Sequence, residues 1–422
     1  MQVFLIAAVM AGCAGGNHTP AVTAEPMEIE AAQLIRTVQF DESSIPVARG
    51  ANDFAFRLGA AIAREMGDES MVISPYSVWL PLAALVNATD EANRPALLEA
   101  LGAGGIAACD VNRAASRMLF DLTNAMSSDM HNPLHIANAV FVGDDVTIRG
   151  DFAQTFMDYY RGAVMNVDFA SPDAAAAVNS WASEHTDGLI TDLVSEFDPR
   201  TIAAIANAIY FSDRWLTEFN PYNTAADTFF APNAEFDAYF MLREGYQSYF
   251  EDDALQATHI NFLSGGGMFI LLPKCGDAVG LLSGMTSERF EEIRLGSSIR
   301  DGKLLLPRFS IESKFSDLGE TLTALGVPLF NEFTAPLTGG LVYDVPRVWL
   351  SEALQKAVIR VDEKGTTAAA VTLMVVFGES GMVIEPEEPF EMICDRPFVF
   401  VLYGDTVDGG GQVLFVGVVN EP

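Results

Sequence analysis

The sequence predicts an α+β chain that folds as one domain over residues 46–422, and three observations carry that prediction. Apolar runs of strand length recur, such as HIANAVFV at 135–142 and MFILLPK at 268–274. Segments with helical spacing stand between them, such as 152–160 with its evenly placed aromatics. No repeat, low-complexity tract or linker interrupts the span, although 422 residues by themselves would allow two or three domains.

Composition narrows the function before any motif is read. Half of the residues are apolar, too many for a disordered chain. Acidic residues outnumber basic ones 57 to 24, a formal charge of −33. Such a surface repels phosphate backbones and anionic headgroups, which excludes nucleic acid as a direct partner. The excess suits solubility in salty surroundings and says nothing about fold. The cysteines are Cys13, Cys109, Cys275 and Cys394, in no spacing that suggests a metal site or redox pair. The last three are expected to be small buried apolar residues.

Taken in order, residues 3–12 (VFLIAAVMAG) are a short apolar run, too short to span a bilayer. Met10-Ala11-Gly12-Cys13 resembles a bacterial lipobox, so 1–12 reads as a lipoprotein signal and Cys13 as the lipid attachment point. Met1-Gln2 lacks the usual positive charge, and an unprocessed or simply secreted chain stays the alternative. Residues 13–45 read as a flexible acidic tether. Leu58, Ala61 and Ile62 then have amphipathic helical spacing, with Asn52 or Asp53 as the expected cap. Residues 71–87 (MVISPYSVWLPLAALVN) read as a strand end running into a core helix. Residues 304–325 read as a strand, a turn around Ser313, and a helix spaced Leu318, Leu322, Leu325.

The stretch 363–380 (EKGTTAAAVTLMVVFGES) organises the rest. Read with period two, one face carries Thr366, Ala368, Ala370 and Thr372, all small or β-branched, so the face could slide between two strands. Gly365 can act as a backbone hinge, and Gly378-Glu379-Ser380-Gly381 reads as a loop tip. Alone, this stretch is better explained by a fixed buried strand or alanine-rich helix. Its flanks favour a segment that is a loop in one state and a strand in another: SEALQKAVIRV at 351–361, DRPFVF at 395–400, and the closing VLFVGVVNEP.

Together these segments resemble the serpin family. Ser74, Pro75 and Ser77 fall on its Ser-Pro-x-Ser helix start. Asn179, Trp181, Thr186, Gly188 and Ile190 fit its Asn-x-Trp-x-x-x-x-Thr-x-Gly-x-Ile pattern. Asn207, Trp215, Phe219, Thr224, Thr228 and Phe229 continue the match. The resemblance implies several helices around a large mixed central sheet with smaller sheets, a helix near 152–160 laid across the sheet face, and an exposed reactive-centre loop. It implies a suicide inhibitor, likened to a trap: a serine endopeptidase cleaves the loop, and the freed segment 363–379 inserts as a central strand. The hinge would be Glu363, Gly365, Thr366, Thr367, Ala368, Ala369 and Ala370, free of proline and charge within the inserting part. Counting seventeen residues from Glu363, the spacing usual in inhibitory members, places the reactive bond at Glu379–Ser380. That bond suits a glutamyl-specific protease, and a shift of one or two residues would suit a chymotrypsin- or subtilisin-like one. The sheet-opening region would hold Ser74, Ser77, Asn207, Trp215, Gln355 and Lys356. Gln355 stands where the family has histidine, so the Ser77–Asn207–Gln355 network is expected to persist without a pH response. The resemblance also implies an extracytoplasmic monomer, lipid-anchored or secreted, that needs no metal or cofactor.

Two rival classes remain. Catalysis would need a base and an orienting acid beside Ser380, and His18, His131, His135, His185 and His259 sit in no matching context. A non-inhibitory protein of the same fold, serving to bind, is the stronger rival, because of Gln355 and the long acidic stretch after 380.

Overall fold

The helical spacing seen from residue 52 belongs to a longer helix, α1 (Ser44–Met66), the first element among the described residues of the computed structural model. The structure describes residues 44–125, 134–186, 188, 190–315, 317–334, 336–343, 348–366, 388–406 and 410–422. Asn52 and Asp53 therefore do not cap a helix but lie inside one. Asn52 is buried, donates to the Gly411 carbonyl and accepts from Gln412 and Val413, while Asp53 accepts from the Ser287 amide. Their polarity is spent on distant backbone, where an unpaired buried group would cost about 1–3 kcal/mol.

Three further helices and a strand precede the first long strand: β1 (Met71–Ile73), α2 (Pro75–Leu85), α3 (Arg94–Ala100) and α4 (Ala108–Ala125). Then come β2 (Leu134–Gly143), β3 (Val146–Ile148), α5 (Gly150–Tyr160), β4 (Gly162–Val167), α6 (Ala174–His185), β5 (Ala203–Phe211) and β6 (Asp213–Arg214). The middle of the chain gives β7 (Ala225–Phe230), β8 (Glu235–Glu251), β9 (Leu255–Asn261), β10 (Gly267–Pro273), α7 (Ala278–Ser283) and α8 (Ser287–Gly296). It continues with β11 (Ser298–Pro307), β12 (Phe309–Phe315), α9 (Gly319–Ala324), β13 (Leu341–Tyr343) and β14 (Glu352–Val361). The remainder is β15 (Gly365–Thr366), β16 (Phe390–Ile393), β17 (Phe398–Asp405) and β18 (Gly411–Val419). Among the described residues no helix is long and apolar enough to cross a membrane.

The fold is α+β, as expected, and its central sheet is mixed. It runs β4-β2-β5-β14, with β12 also on β14 and the short β15 and β6 beyond. β2 is parallel to β4 and antiparallel to β5, while β5 is parallel to β14. A second path of strands, β1-β18-β17-β10-β9-β8-β11-β16 with β7 on β8, packs behind it. Helix α2 lies between the two, and all eleven of its residues are buried. A helix apolar on every side has no stable place on a surface, and this one packs against β2, β5 and β18 as well as α1.

Period two divides the central strands between two cores. Val140 and Val142 of β2 face the α2 side, while Ala139 and Phe141 face α6 with Trp181 and Val178. The helix on this outer face is thus α6, not the aromatic α5, which packs on β4, α2 and α4 instead. Phe152, Phe156 and Tyr160 explain why: they are buried along one helix side, a stripe that needs helices beneath it. Ser313 corrects the expected turn. It sits inside β12, 4% exposed, and its hydroxyl accepts from the Val72 amide, so a polar residue there satisfies backbone. Cys394 is buried as expected, but Cys109 and Cys275 are exposed, at a helix start and after β10.

Candidate functional site

The central sheet is closed at one end and open at the other. β5 and β14 pair from Ala204–Glu352 to Ala208–Lys356. β5 runs on to Phe211 and β14 to Val361, yet among the described residues 209–211 and 357–360 have no strand partner on the facing edges. Exposed backbone donors and acceptors on a strand edge are a template for another strand. Here two such edges face one another, held apart above Lys356.

Buried polar groups hold the join beneath. Gln355 is fully buried, and its amide oxygen accepts from Ser74 N at 3.0 Å. Its Nε2 donates to the Ser74 carbonyl at 2.8 Å and to Ser77 Oγ at 2.6 Å, while Ser77 donates onward to Ser74 O. Ser74 Oγ reaches the Leu414 carbonyl of β18, so the contact ties β14, α2 and the second sheet together. Glutamine therefore keeps the expected bond to Ser77 with both ends of its amide in use. Asn207 lies directly opposite Gln355 in the register, and its side chain is outside the described residues.

On the outer face, Lys356 reaches Asp192 and Glu312, both at 2.7 Å. Burial would lower its pKa, but the two carboxylates outweigh that and hold it above the ordinary lysine value. Asp192 is held low chiefly by its hydrogen bond from Lys356. It belongs to the segment that follows α6, fixed there by Asn179, which exchanges two hydrogen bonds with Val194. Thr186 adds a link, donating to Ala182 O and accepting from Ile190 N. Lys356 thus straps this crossing segment to β14. Both carboxylates are more than half exposed, so each pair contributes at most about 1 kcal/mol. The strap can release.

The open end is stopped by the hinge. After β14 the chain turns sharply, with Asp362 N donating to Gly365 O and Asp362 Oδ1 accepting from Lys364 N. The carbonyls of 362, 363 and 364 accept in turn from Trp215 Nε1, Phe219 N and Trp215 N. Gly365 then has φ +151°, and a Cβ there would stand 2.1 Å from the Asp213 carbonyl oxygen. Only glycine fits. Thr366 is seated beside it, 1% exposed, opposite Val361 on one side and Asp213 on the other. Its hydroxyl accepts from Asp213 N at 3.1 Å and donates to Asp213 O at 3.3 Å.

Glu363 latches this turn to the body. Its carboxylate takes two 3.0 Å bonds from Arg308 Nε and one from Thr224 Oγ1. Burial would raise its pKa, but Arg308 and Thr224 prevail and hold it below the ordinary glutamate value. A depressed acid pKa gives stability that is full above the unfolded value, about 4.3, and is lost as pH falls through the folded one. The latch should therefore hold at neutral pH and fail in acid. Unfolding temperatures of the wild type and Glu363→Gln are expected to differ at pH 7 and to converge below about pH 4. A gap that persists unchanged at pH 3 would show that the ion pair does not stabilise the hinge.

The structure thus gathers Ser74, Ser77, Trp215, Gln355, Lys356, Glu363, Gly365 and Thr366 around one opening, with the backbone of Asn207 beside them. Thr367, Ala368, Ala369, Ala370, Glu379, Ser380 and Cys13 lie outside the described residues. Arg308, Asp213, Asp192 and Thr224 were not anticipated in these roles, since nothing local marks a cation 55 residues from its carboxylate. The histidines that can be placed support no catalytic base. His259 is half-buried and stacked on Phe269, shares a 2.6 Å bond with Tyr403 OH, and is driven down to about 4 by desolvation. His185 packs on Trp181 and contacts its carbonyl. His135 lies in β2 with its side chain outside the described residues, as are His18 and His131 altogether.

Comparison with known proteins accords with this geometry. The family model described as Serpin (serine protease inhibitor) matches residues 49–422. An uncharacterized serpin-like protein of Thermococcus kodakarensis is 27% identical over 443 aligned residues, covering 100% of this chain and 98% of its own. Tengpin, a thermophilic serpin solved in its native state, superposes with a TM-score of 0.79 at 24% identity, covering 91% of this chain and 95% of that one. Human thyroxine-binding globulin complexed with its ligand gives 0.78 at 23% identity, covering 90% and 99%. At such identity these two structures speak for the fold alone.

Proposed function

The chain belongs to the serpin family, and on that premise we propose that it is a suicide-type inhibitor of serine endopeptidases and has no catalysis of its own. The observation that carries the reading is the half-open join between β5 and β14, with the hinge waiting at its open end. A protease serine would attack the Glu379 carbonyl, form the acyl ester and release the amine of Ser380. The new end at 379 is then severed from residue 380 while still esterified to the protease, and residues 367–379 can run from Thr366 down between the two facing edges. Insertion must part the five register pairs from Glu352 to Lys356, and it must release Lys356 from Asp192. What it gains is a strand paired on both sides. The hinge composition supports this, because small uncharged residues can pass under α6 without burying charge. The target would be glutamyl-specific, or chymotrypsin- or subtilisin-like if the bond is displaced. The lipid on Cys13 and an extracytoplasmic location stand as part of the same proposal.

The test is incubation with one protease of each kind, followed by a denaturing gel and intact mass. A covalent band with at least one, and a released C-terminal peptide beginning at Ser380, is the expected result. Complete cleavage near 379 with no complex by any of the three would replace the inhibitor by the non-inhibitory binding protein. Ester hydrolysis abolished by Ser380→Ala would instead favour an enzyme.

A further inference from the structure

We infer that the cavity between the start of α3 and the end of α9 binds an alkylated ammonium, a cation of the choline kind. The site owes nothing to the opening of the central sheet and stands whether or not the chain inhibits a protease. After α9 the chain turns at Gly326, whose φ is +93°, and enters a short 3-10 turn, Pro328–Phe330. Two ties hold that turn down. Leu350 N donates to the Leu329 carbonyl at 2.9 Å, and the Phe330 ring lies against Gly319, where a Cβ would stand 3.1 Å from it. Asn331 Oδ1 then accepts from Phe333 N at 2.9 Å, a local turn that leaves Phe333 79% exposed. Trp349 returns beside them, half-buried. Between these rings and Asn93 lies a cavity of about 630 Å³. That is within the range of small-molecule sites, about 300–1,000 Å³.

The lining selects the ligand. Phe333 does not serve the core, yet it joins Phe330 and Trp349 on the cavity wall. Aromatic faces carry the negative lobe of a quadrupole and attract a cation laid over them. Glu332 is the only charged residue of the lining, and among the described residues it forms no ion pair. The nearest arginines are spent elsewhere: Arg94 on the Val86 and Thr89 carbonyls, Arg200 on Asp198 at 2.6 Å. Other polar groups of the lining are turned to local backbone, since Thr323 donates to Gly319 O and Thr334 to Asn331 O. A hard metal ion needs several oxygen ligands, and a bare ammonium holds its water strongly. Three rings and one carboxylate suit neither of them. They suit a cation whose charge is wrapped in methyl groups.

The test is calorimetric titration of the full chain with choline chloride, against sodium chloride at matched ionic strength. Saturable binding at one site is expected, weakened at least about tenfold by Phe333→Ala and about threefold by Glu332→Gln. Both residues are exposed, so neither change threatens folding. Glu332→Gln removes one charge from a net −33, so counterion attraction to the whole chain would barely respond to it. The neutral analogue of choline, with carbon in place of nitrogen, should bind at least about tenfold more weakly. Pelleting with phosphatidylcholine vesicles separates two sources of the same cation. Wild type carried down where Phe333→Ala is not would assign the lipid headgroup, whereas choline binding without pelleting assigns a free small molecule. Absence of both would overturn the inference. So would choline binding unchanged in both variants, or a neutral analogue that binds as tightly as choline.

Discussion

Thr366→Glu is expected to convert the chain from an inhibitor into a substrate, with cleavage of the loop intact and the covalent complex nearly lost. Thr366 is 1% exposed, and its neighbour Asp213 is equally buried, its carboxylate accepting from Ser264 and from the Arg214 amide. Glutamate at 366 would set a second carboxylate in the same desolvated place, where two like charges cannot both ionise. Any insertion that begins at the hinge has to start from this residue and seat it in the widened sheet. An uncompensated buried charge costs several kcal/mol, and 3 kcal/mol on the insertion barrier is roughly a hundredfold in rate. Hydrolysis of the acyl-enzyme then wins the race. Complex yield on a denaturing gel should fall from the majority of cleaved molecules to about a few per cent, while Thr366→Val keeps most of it. Undiminished yield from the glutamate variant would mean that position 366 stays outside the sheet throughout the reaction.

Cleavage alone, by a protease that is not trapped, should leave a more stable molecule than it started with. Nicking within 367–387 frees the segment, and the edges at 357–360 and 209–211 gain the partner they lack. On the order of ten net backbone hydrogen bonds at about 0.5–1.5 kcal/mol each give about 10 kcal/mol. For a chain of this size that is roughly 10–20 °C in unfolding temperature, scaled from the behaviour of smaller domains. Differential scanning before and after the nick reads it directly. A nicked chain that melts where the intact one does has not inserted its loop, and the half-open sheet would then be a static feature. Thr366→Glu should lose most of the rise, since it opposes the same movement.

Much of this could be read from residue order, because some structure is local. The run from Pro75 to Leu85, apolar but for Ser77, could only be an inner helix, and the alternation of β2 and β14 fixed which residues share a face. The small, uncharged hinge was equally plain, since passage into a sheet is a requirement on side chains taken one at a time. Ser77 and Gln355 could be expected to meet on the strength of the family resemblance, and they do.

What residue order left open were the partners. Asn52 and Asp53 look like caps because a short polar side chain satisfies whichever backbone is nearest, and only the packed chain shows that Gly411, Val413 and Ser287 are nearer. Ser313 looks like a turn for the same reason. Cys109 and Cys275 look buried because a thiol is apolar, yet exposure belongs to the surface the whole fold leaves uncovered. Arg308 and Glu363 stand 55 residues apart, and Ser74 and Gln355 stand 281 apart. Period and composition determine that a residue faces inward. Which distant group it finds there, and that β5 and β14 join only as far as Lys356, depends on register, and register is set by backbone hydrogen bonds closed across the assembled sheet.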